Sequence, residues 1–310
     1  MSRVFVVGTR GSALALKQTD MAVGALGRAS RDTAHEVREI KTEGDRDQQT
    51  PLSAVAGRGV FTSDLEQALL REELDIAVHS LKDLPTTETE GLILGAILPR
   101  GDVRDAVISR YGMFLQELPP GSTVGTSSSR RVAQLRSSYP GLKAESIRGN
   151  VDTRIRKLRR GEYDAIVLAA AGLERLGRLD EATEILETDE MMPAPGQGAI
   201  ALQCRGADTE TLNLLRSVDH APTRAAVTAE RAVLDVLEGG CSVPVGAYAS
   251  VDGLMLKLAA VVCSPDGETV IKESSEGPAA DPETLGRQLG GRLLELGAAE
   301  LIKQFAAASP

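Results

Sequence analysis

Thirty-five basic against 44 acidic side chains leave this 310-residue chain with a formal charge of −9, which excludes a globally basic nucleic-acid binder. Its 42% hydrophobic and 25% charged residues describe an ordinary globule, and at about 150 residues per domain the length predicts two domains with room for a third. No apolar run reaches the roughly 18 residues of a membrane span, and the N-terminus (MSRVFVVGTR) enters a strand pattern at once, so the expectation is a cytoplasmic protein without membrane contact.

Three cysteines (Cys204, Cys241, Cys263) and three histidines (His35, His79, His220) are dispersed, with no CxxC or HExxH spacing, so neither a metal site nor a disulfide framework is expected. With no Trp, four Phe and four Tyr, ring stacking has little to work with, and binding must rest on charge and backbone.

In chain order, strand-like runs fall at 4–9, 35–40, 75–80, 92–98, 106–110, 122–127 and 163–170, with helical patterns at 13–28, 64–72, 130–138 and 152–160 between them. The alternation predicts an α/β architecture with mostly parallel sheets. Two segments read as crossings between lobes: PRGDVRD at 99–105 and the Pro- and Gly-rich MMPAPGQG at 191–198, after which 200–204 returns a strand to the first lobe. Beyond about residue 220 a long helical pattern, three strand-like runs and a helical C-terminus read as a separate α+β domain. The predicted division is 1–98 with 199–217, then 104–193, then 221–310.

An internal echo links the lobes, since Val7-Gly8-Thr9-Arg10-Gly11-Ser12 and Val124-Gly125-Thr126-Ser127-Ser128-Ser129 each end a strand and open a helix. Ser12 and Ser129 are expected N-caps there, and free N–H groups at such helix starts also suit an anion. Charge points the same way. Residues 128–178 carry twelve basic and five acidic side chains inside an acidic chain, a local excess that suits an anionic ligand. In TRIRKLRR, Ile155 and Leu158 mark a buried face, so Arg156, Lys157, Arg159 and Arg160 are expected in solvent. Arg130, Arg131, Arg148 and Arg154 instead follow predicted strands, where open α/β sheets place ligands, and guanidinium forks there favour carboxylates. Arg10 offers the same chemistry from the first lobe.

Lys82-Asp83 follows the strand DIAVHS, and a carboxylate among so many arginines suits the holding of a developing cation. His79 within that strand is expected to be a core histidine. Cys241, in a Gly-Gly turn after a long helix, is the thiol whose setting favours covalent chemistry, whereas Cys204 and Cys263 sit in strand-like runs. Gly196-Gln197-Gly198 fits a loose dinucleotide fingerprint but lacks the preceding strand and following helix that phosphate binding requires.

The ordered segments GTRGSALALKQ, GDRDQQTPL, AGRGVFTSDLEQALL, DIAVHSLKDLP, VGTSSSRRVAQL, SIRGNVDTR, GEYDAIVLAAAGLERLG, PAPGQGAIALQCR and LEGGCSVPVGAYA closely resemble the hydroxymethylbilane synthase (porphobilinogen deaminase) family over essentially the whole chain. The resemblance implies two periplasmic-binding-protein-like (type II) lobes with a central cleft plus a smaller C-terminal α+β domain. It implies a transferase of haem and porphyrin biosynthesis that adds four porphobilinogens, with loss of ammonia, to a dipyrromethane cofactor held by a thioether to Cys241. Asp83 matches the catalytic aspartate that stabilises the cation formed as ammonia leaves. Lys82, Ser128, Arg130, Arg131 and Arg154 match residues that bind cofactor carboxylates. Arg10, Ser12, Gln18, Arg148, Arg154 and Arg175 match residues of the substrate cleft, with Arg10 and Arg148 placed near catalysis.

A monomer with porphobilinogen as its small-molecule substrate, and hand-over of the product to uroporphyrinogen III synthase, are also implied by the resemblance. Three departures stand out: Ser129 where the family pattern GTSSLRR has Leu, and Arg58 and Ala54 where Lys is common in the loop 42–59. Phe61 is expected to cover the pocket, and Ser63 to Glu66 reads as a capping box. A non-catalytic two-lobe binding protein for a polycarboxylate would account for the echo, the crossings and the arginines, though not for Cys241 or the third domain.

Overall fold

The computed structural model describes residues 3–30, 32–41, 62–238 and 243–308, with backbone alone for 306–308. Phe61, Arg58, Ala54 and Cys241 lie outside the described residues.

The first lobe is built on β1 (Val4–Arg10), α1 (Ala13–Ala29), β2 (Ala34–Ile40), α2 (Ser63–Leu70), β3 (Ile76–Ser80) and β4 (Leu92–Ile97). β10 (Ile200–Arg205) joins it from far along the chain, giving the strand order β2-β1-β3-β10-β4. The second lobe holds β5 (Asp105–Ser109), β6 (Thr123–Gly125), α3 (Ser129–Ser138), β7 (Lys143–Glu145), α4 (Val151–Arg159), β8 (Ala165–Ala169), α5 (Ala170–Arg175) and β9 (Glu184–Leu186), in the order β7-β6-β8-β5-β9. Numbered from its own first strand–helix unit, each sheet reads 2-1-3-n-4, where n is the strand next to a crossing. The echo in sequence is thus a repeat of topology.

The sheets are less parallel than the alternation predicts. β1 pairs in parallel with β2 and β3, and β6 with β7 and β8, but β10 and β5 run antiparallel to both of their neighbours. A chain that arrives directly from the other lobe has no crossover helix to carry it back to the starting edge, so it must run against its neighbours. The three-residue strands β7 and β9 escaped the pattern reading because KAE and EIL are too short to show a period.

Both faces of the inner strands β3, β5, β8 and β10 are covered, which is why these read as continuous apolar runs, whereas the edge strands β2 and β7 are largely exposed. In the second lobe Ala106, Ile108, Ile166 and Leu168 pack on one side with Ile155 and Leu158, while Val107, Ala165 and Val167 pack on the other with Leu135 and Met191. The alternation follows from strand geometry, in which successive side chains point to opposite faces. Arg156 and Arg159 of α4 and the following Arg160 are exposed as expected, whereas Lys157 is half-buried.

After α6 (Thr209–Arg216), the C-terminal domain comprises α7 (Ala221–Val236), an antiparallel meander of β11 (Val245–Asp252), β12 (Met255–Cys263) and β13 (Val270–Pro278), then α8 (Pro282–Glu295) and α9 (Ala298–Ala308). Leu256, Leu258, Ala260 and Val262 of β12 face a core shared with Val233, Leu285, Leu289 and Leu293. α7 and α8 approach closely at Gly286, where a Cβ would lie 2.3 Å from the Ala229 carbonyl. The other face of β12 covers the second lobe through Val261 and Cys263 against Ala133 and Met192. Among the described residues no helix is long and apolar enough to cross a membrane.

Candidate functional site

Lys82 and Asp83 occupy a short 3-10 turn (Leu81–Asp83) directly after β3. Leu81 and Leu84 pin this turn from below, buried with Ala199, Ala201 and Val227, and Leu81 N–H donates to the Ala199 carbonyl at 3.1 Å. With both leucines turned inward, the intervening Lys82 and Asp83 are left half-buried at the carboxyl end of the strand.

Opposite them, α3 begins with Ser128 as its N-cap, the Oγ accepting from the Arg131 N–H, so the cap is Ser128 and not Ser129. Residue 129 is already helical, because the second loop closes one residue sooner than the first, where Ser12 accepts from Ala15 N–H. No acidic residue lies in the first turn of α1 or α3, and α3 instead carries Arg130 and Arg131 there. Two cations at the positive end of a helix dipole need an anion. Asp105, fully buried at the start of β5, supplies one: its Oδ2 takes Arg130 Nη2 at 2.8 Å and its Oδ1 takes Arg131 Nη2 at 2.7 Å. Arg130 also donates to the Met192 carbonyl and Arg131 to the Val167 carbonyl.

Arg130 and Arg131 are therefore not free forks projecting from a loop, as their junction positions suggested, but members of a buried triad. What they keep for a ligand is Nε, which is buried in both and has no partner among the described residues. A buried orphan donor is rare, and an acid group lying against the pair would satisfy it.

Further cations surround this point. Burial lowers Lys82 to about 8, helped by Arg131 and resisted by Asp83 and Asp105. Burial likewise lowers Arg154 to about 10, with Arg131 and Arg148 adding to the effect and Asp83 opposing it. Asp83 of the first lobe thus lies close enough to act electrostatically on Arg154 of the second. Arg154 is aimed by a 2.8 Å bond from Nε to the Gly149 carbonyl. Crowded, desolvated cations of this kind lower one another's affinity for protons and are relieved by a polyanion.

The remaining residues differ in placement. Arg10 ends β1, half-buried and within electrostatic reach of His79, and Arg148 lies just before α4 near Arg154. Gln18 is buried and exchanges hydrogen bonds with Ser80 at 2.8 and 3.1 Å, bracing the end of β3. Arg175 donates to the Gly198 carbonyl on the return crossing, and burial lowers its guanidinium. The predicted capping box at Ser63 is absent: Thr62 precedes α2 without a side-chain cap, and the Glu66 carboxylate is drawn away to Thr89 and Gln203.

His79 is a core histidine, its Nε2 at 3.0 Å from Gln203 Oε1, and burial lowers it to about 4 against that hydrogen bond. Because the folded chain resists a proton that the unfolded chain accepts near 6.5, this residue's contribution is complete above about pH 6.5. It is lost as pH falls toward 4, on the order of 3 kcal/mol in all. Urea midpoints at pH 7 and pH 4.5 should therefore lie closer together in His79→Gln than in the parent chain.

Four residues that sequence reasoning missed tie the site together: Asp105, Gln197, Arg100 and Glu230. Arg100 and the fully buried Glu230 of α7 form a two-pronged ion pair at 2.6 and 2.9 Å, and Glu230 also accepts from the N–H groups of Gly196 and Ala249. The two crossings lie side by side, with Gly101 N–H on the Gly198 carbonyl at 3.1 Å. Gly198 has φ +84°, and a Cβ there would stand 2.7 Å from the Gly101 carbonyl, so glycine is required. The available signals were the charged crossing PRGDVRD and a Gln between two glycines. A cavity of about 620 Å³ beside these crossings, lined by Arg104, Thr223, Tyr248 and Ser250 among others, includes none of the predicted site residues.

Two α/β lobes thus bring arginine nitrogens without partners among the described residues, further cations and the Asp83 carboxylate into one neighbourhood, a charge pattern suited to an anionic ligand. Comparison with known proteins narrows the class. Residues 5–213 match the family model "Porphobilinogen deaminase, dipyromethane cofactor binding domain", and residues 224–295 match "Porphobilinogen deaminase, C-terminal domain". The porphobilinogen deaminase of Desulforudis audaxviator is 48% identical over 307 residues, covering 99% of each chain. That of Bacillus subtilis is 45% identical over 304 residues, covering 97% of this chain and 96% of its own. The chain belongs to the porphobilinogen deaminase family, a family of transferases carrying a dipyrromethane cofactor. Among solved structures it is similar to the methionine-binding protein MetQ (TM-score 0.45, 11% identity, 69% of this chain and 89% of that one). It is also similar to a YaeC-family lipoprotein of Enterococcus faecalis (TM-score 0.42, 14% identity, 70% and 91%).

Proposed function

We infer that the protein is a hydroxymethylbilane synthase of tetrapyrrole biosynthesis. It condenses four porphobilinogens head to tail onto a covalent dipyrromethane, with loss of ammonia, and releases linear 1-hydroxymethylbilane by hydrolysis. The observation that carries this reading is the buried Arg130–Asp105–Arg131 triad with two orphaned Nε donors, set against Lys82 and Asp83 in a chain of this family. Each pyrrole unit of the cofactor bears an acetate and a propionate, and Lys82, Ser128, Arg130, Arg131 and Arg154 are the groups that would hold them. When bound, the dipyrromethane supplies the nucleophilic pyrrole carbon on which the product is built.

The chain's own residues do the rest. Arg10, Arg148 and Arg175, with Ser12 and Gln18 shaping the cleft, bind and orient the substrate acids. Asp83 is the carboxylate assigned to hold the positive charge that grows on porphobilinogen as ammonia departs, which lowers the barrier electrostatically. The reading includes the three-domain division, a cytoplasmic monomer without nucleic-acid or membrane partners, and passage of the product to uroporphyrinogen III synthase.

Cys241 is the proposed anchor. Burial pushes the thiols of Cys204 and Cys263 up to about 11, which makes both poor nucleophiles and supports the choice of the third cysteine. The denatured intact mass of the purified protein should exceed the sequence mass by two porphobilinogens less two ammonias, and the Cys241→Ala chain should lack the excess. An apo chain that gains no such mass on incubation with porphobilinogen would remove the reading.

A further inference from the structure

Gln197 sits on the return crossing and is completely buried, yet its side chain reaches both lobes. Its Nε2 donates to Asp105 Oδ1 at 2.8 Å and to the Val103 carbonyl at 2.7 Å, while its Oε1 accepts from Lys82 Nζ at 3.3 Å. The backbone carbonyl of the same residue accepts from Arg100 Nε at 2.8 Å, which continues the connection to Glu230 and the C-terminal domain.

The amide can stand only one way round. Reversal would set its oxygen against a carboxylate and a carbonyl, and its NH2 against an ammonium. The residue type is constrained as well. A glutamate would face the Asp105 carboxylate, and a lysine would face Lys82 and the arginine pair. An amide is the uncharged group that donates to a carboxylate at one end and accepts from an ammonium at the other. Burying such a group is unfavourable unless every bond is made, and an apolar side chain of equal volume would avoid that cost. What the amide adds is connection.

We propose that Gln197 is a positioning residue which sets the Lys82 ammonium of the first lobe relative to the Asp105-held arginine pair of the second, so that the cofactor's carboxylates meet cations of both lobes in one geometry. The proposal rests on the function stated above and deepens it. It explains why a glutamine stands between two glycines there: the flanking positive-φ residues Gly196 and Gly198 let the backbone turn tightly enough for one side chain to lie between the lobes.

The test is Gln197→Met, which keeps length and volume and deletes both arms. The rate at which apo-protein gains the mass of two porphobilinogens less two ammonias should fall about tenfold to a hundredfold, the range for losing hydrogen bonds to charged groups. In a Lys82→Met background the same substitution should change that rate by less than about twofold, because the pair it couples is already broken. A merely structural role predicts equal losses in both backgrounds, and that result would overturn the proposal, as would an unchanged rate in the single variant. If Gln197→Met does not fold, Gln197→Asn answers the same question, since its amide falls a methylene short and keeps one arm at most. The parent chain separates the failures. No adduct on it defeats the function reading, whereas an adduct on it together with an unaltered Gln197→Met rate defeats only the role of Gln197.

Discussion

Asp83→Ala should lower porphobilinogen turnover by about 10²- to 10³-fold, the loss typical when one preorganised electrostatic group is removed from a developing charge. The geometry explains why the effect falls on the chemical step. Around Lys82, Arg131, Arg148 and Arg154 the acids are Asp83 and Asp105, and Asp105 is committed to the arginine pair, so nothing else on that turn can balance a cation. Its own structural burden is small, because Leu81 and Leu84 hold the turn from below without it. The variant should unfold at the parent's urea midpoint, and its carboxylate-binding groups remain, so substrate should still bind. Steady-state kinetics with porphobilinogen check this: kcat should carry the loss. Normal turnover by the variant would take Asp83 out of the reaction.

Asp105→Ala should have the largest effect on stability, about 3–5 kcal/mol, because it strands two buried guanidinium groups beside each other. Burial alone would raise the Asp105 carboxyl, but Arg130 and Arg131 outweigh it and hold the group well below the usual carboxylate range. A carboxyl depressed on folding contributes fully above its unfolded value near 3.9 and loses that contribution only as the solution becomes more acidic still. The triad is therefore intact through the neutral range, and the variant's deficit should be constant from pH 5 to pH 8. Urea midpoints across that range measure it. The informative companion is the triple replacement Asp105→Leu with Arg130→Met and Arg131→Met. Apolar substitution of a whole buried ion cluster tends to restore stability, so this chain should fold well and yet fail to acquire the cofactor mass. Recovery of cofactor loading along with stability would mean that the arginines serve the fold alone.

Much of the architecture was legible because local pattern and tertiary role coincide. Apolar runs of five to seven residues became strands buried on both faces, and the crossings were marked by Pro and Gly where no regular element can continue. The direction of β5 and β10 was not legible, since antiparallel entry depends on where a chain leaves the other lobe. The cap falls at Ser128 and not at Ser129, because a one-residue difference in loop closure moves it without changing the composition. The box at Ser63 failed for a related reason. Glu66 has the right spacing for its own helix, but Thr89 and Gln203, distant in sequence, offered its carboxylate better partners.

The local positive excess, the cysteine in its Gly-Gly turn and the lysine–aspartate pair after a strand were present in the order of residues, and they pointed to a polyanion and to covalent attachment. These are properties of residue type and neighbouring chain, and they survive reading in one dimension. Folding decided which arginines are held, which nitrogens stay open and which groups hold them. Asp105 and Gln197 are 92 residues apart, and Gln197 and Lys82 are 115 apart, so no local pattern relates them. They acquire meaning only when two lobes close upon one buried amide, because a buried polar group must find partners wherever the fold brings them.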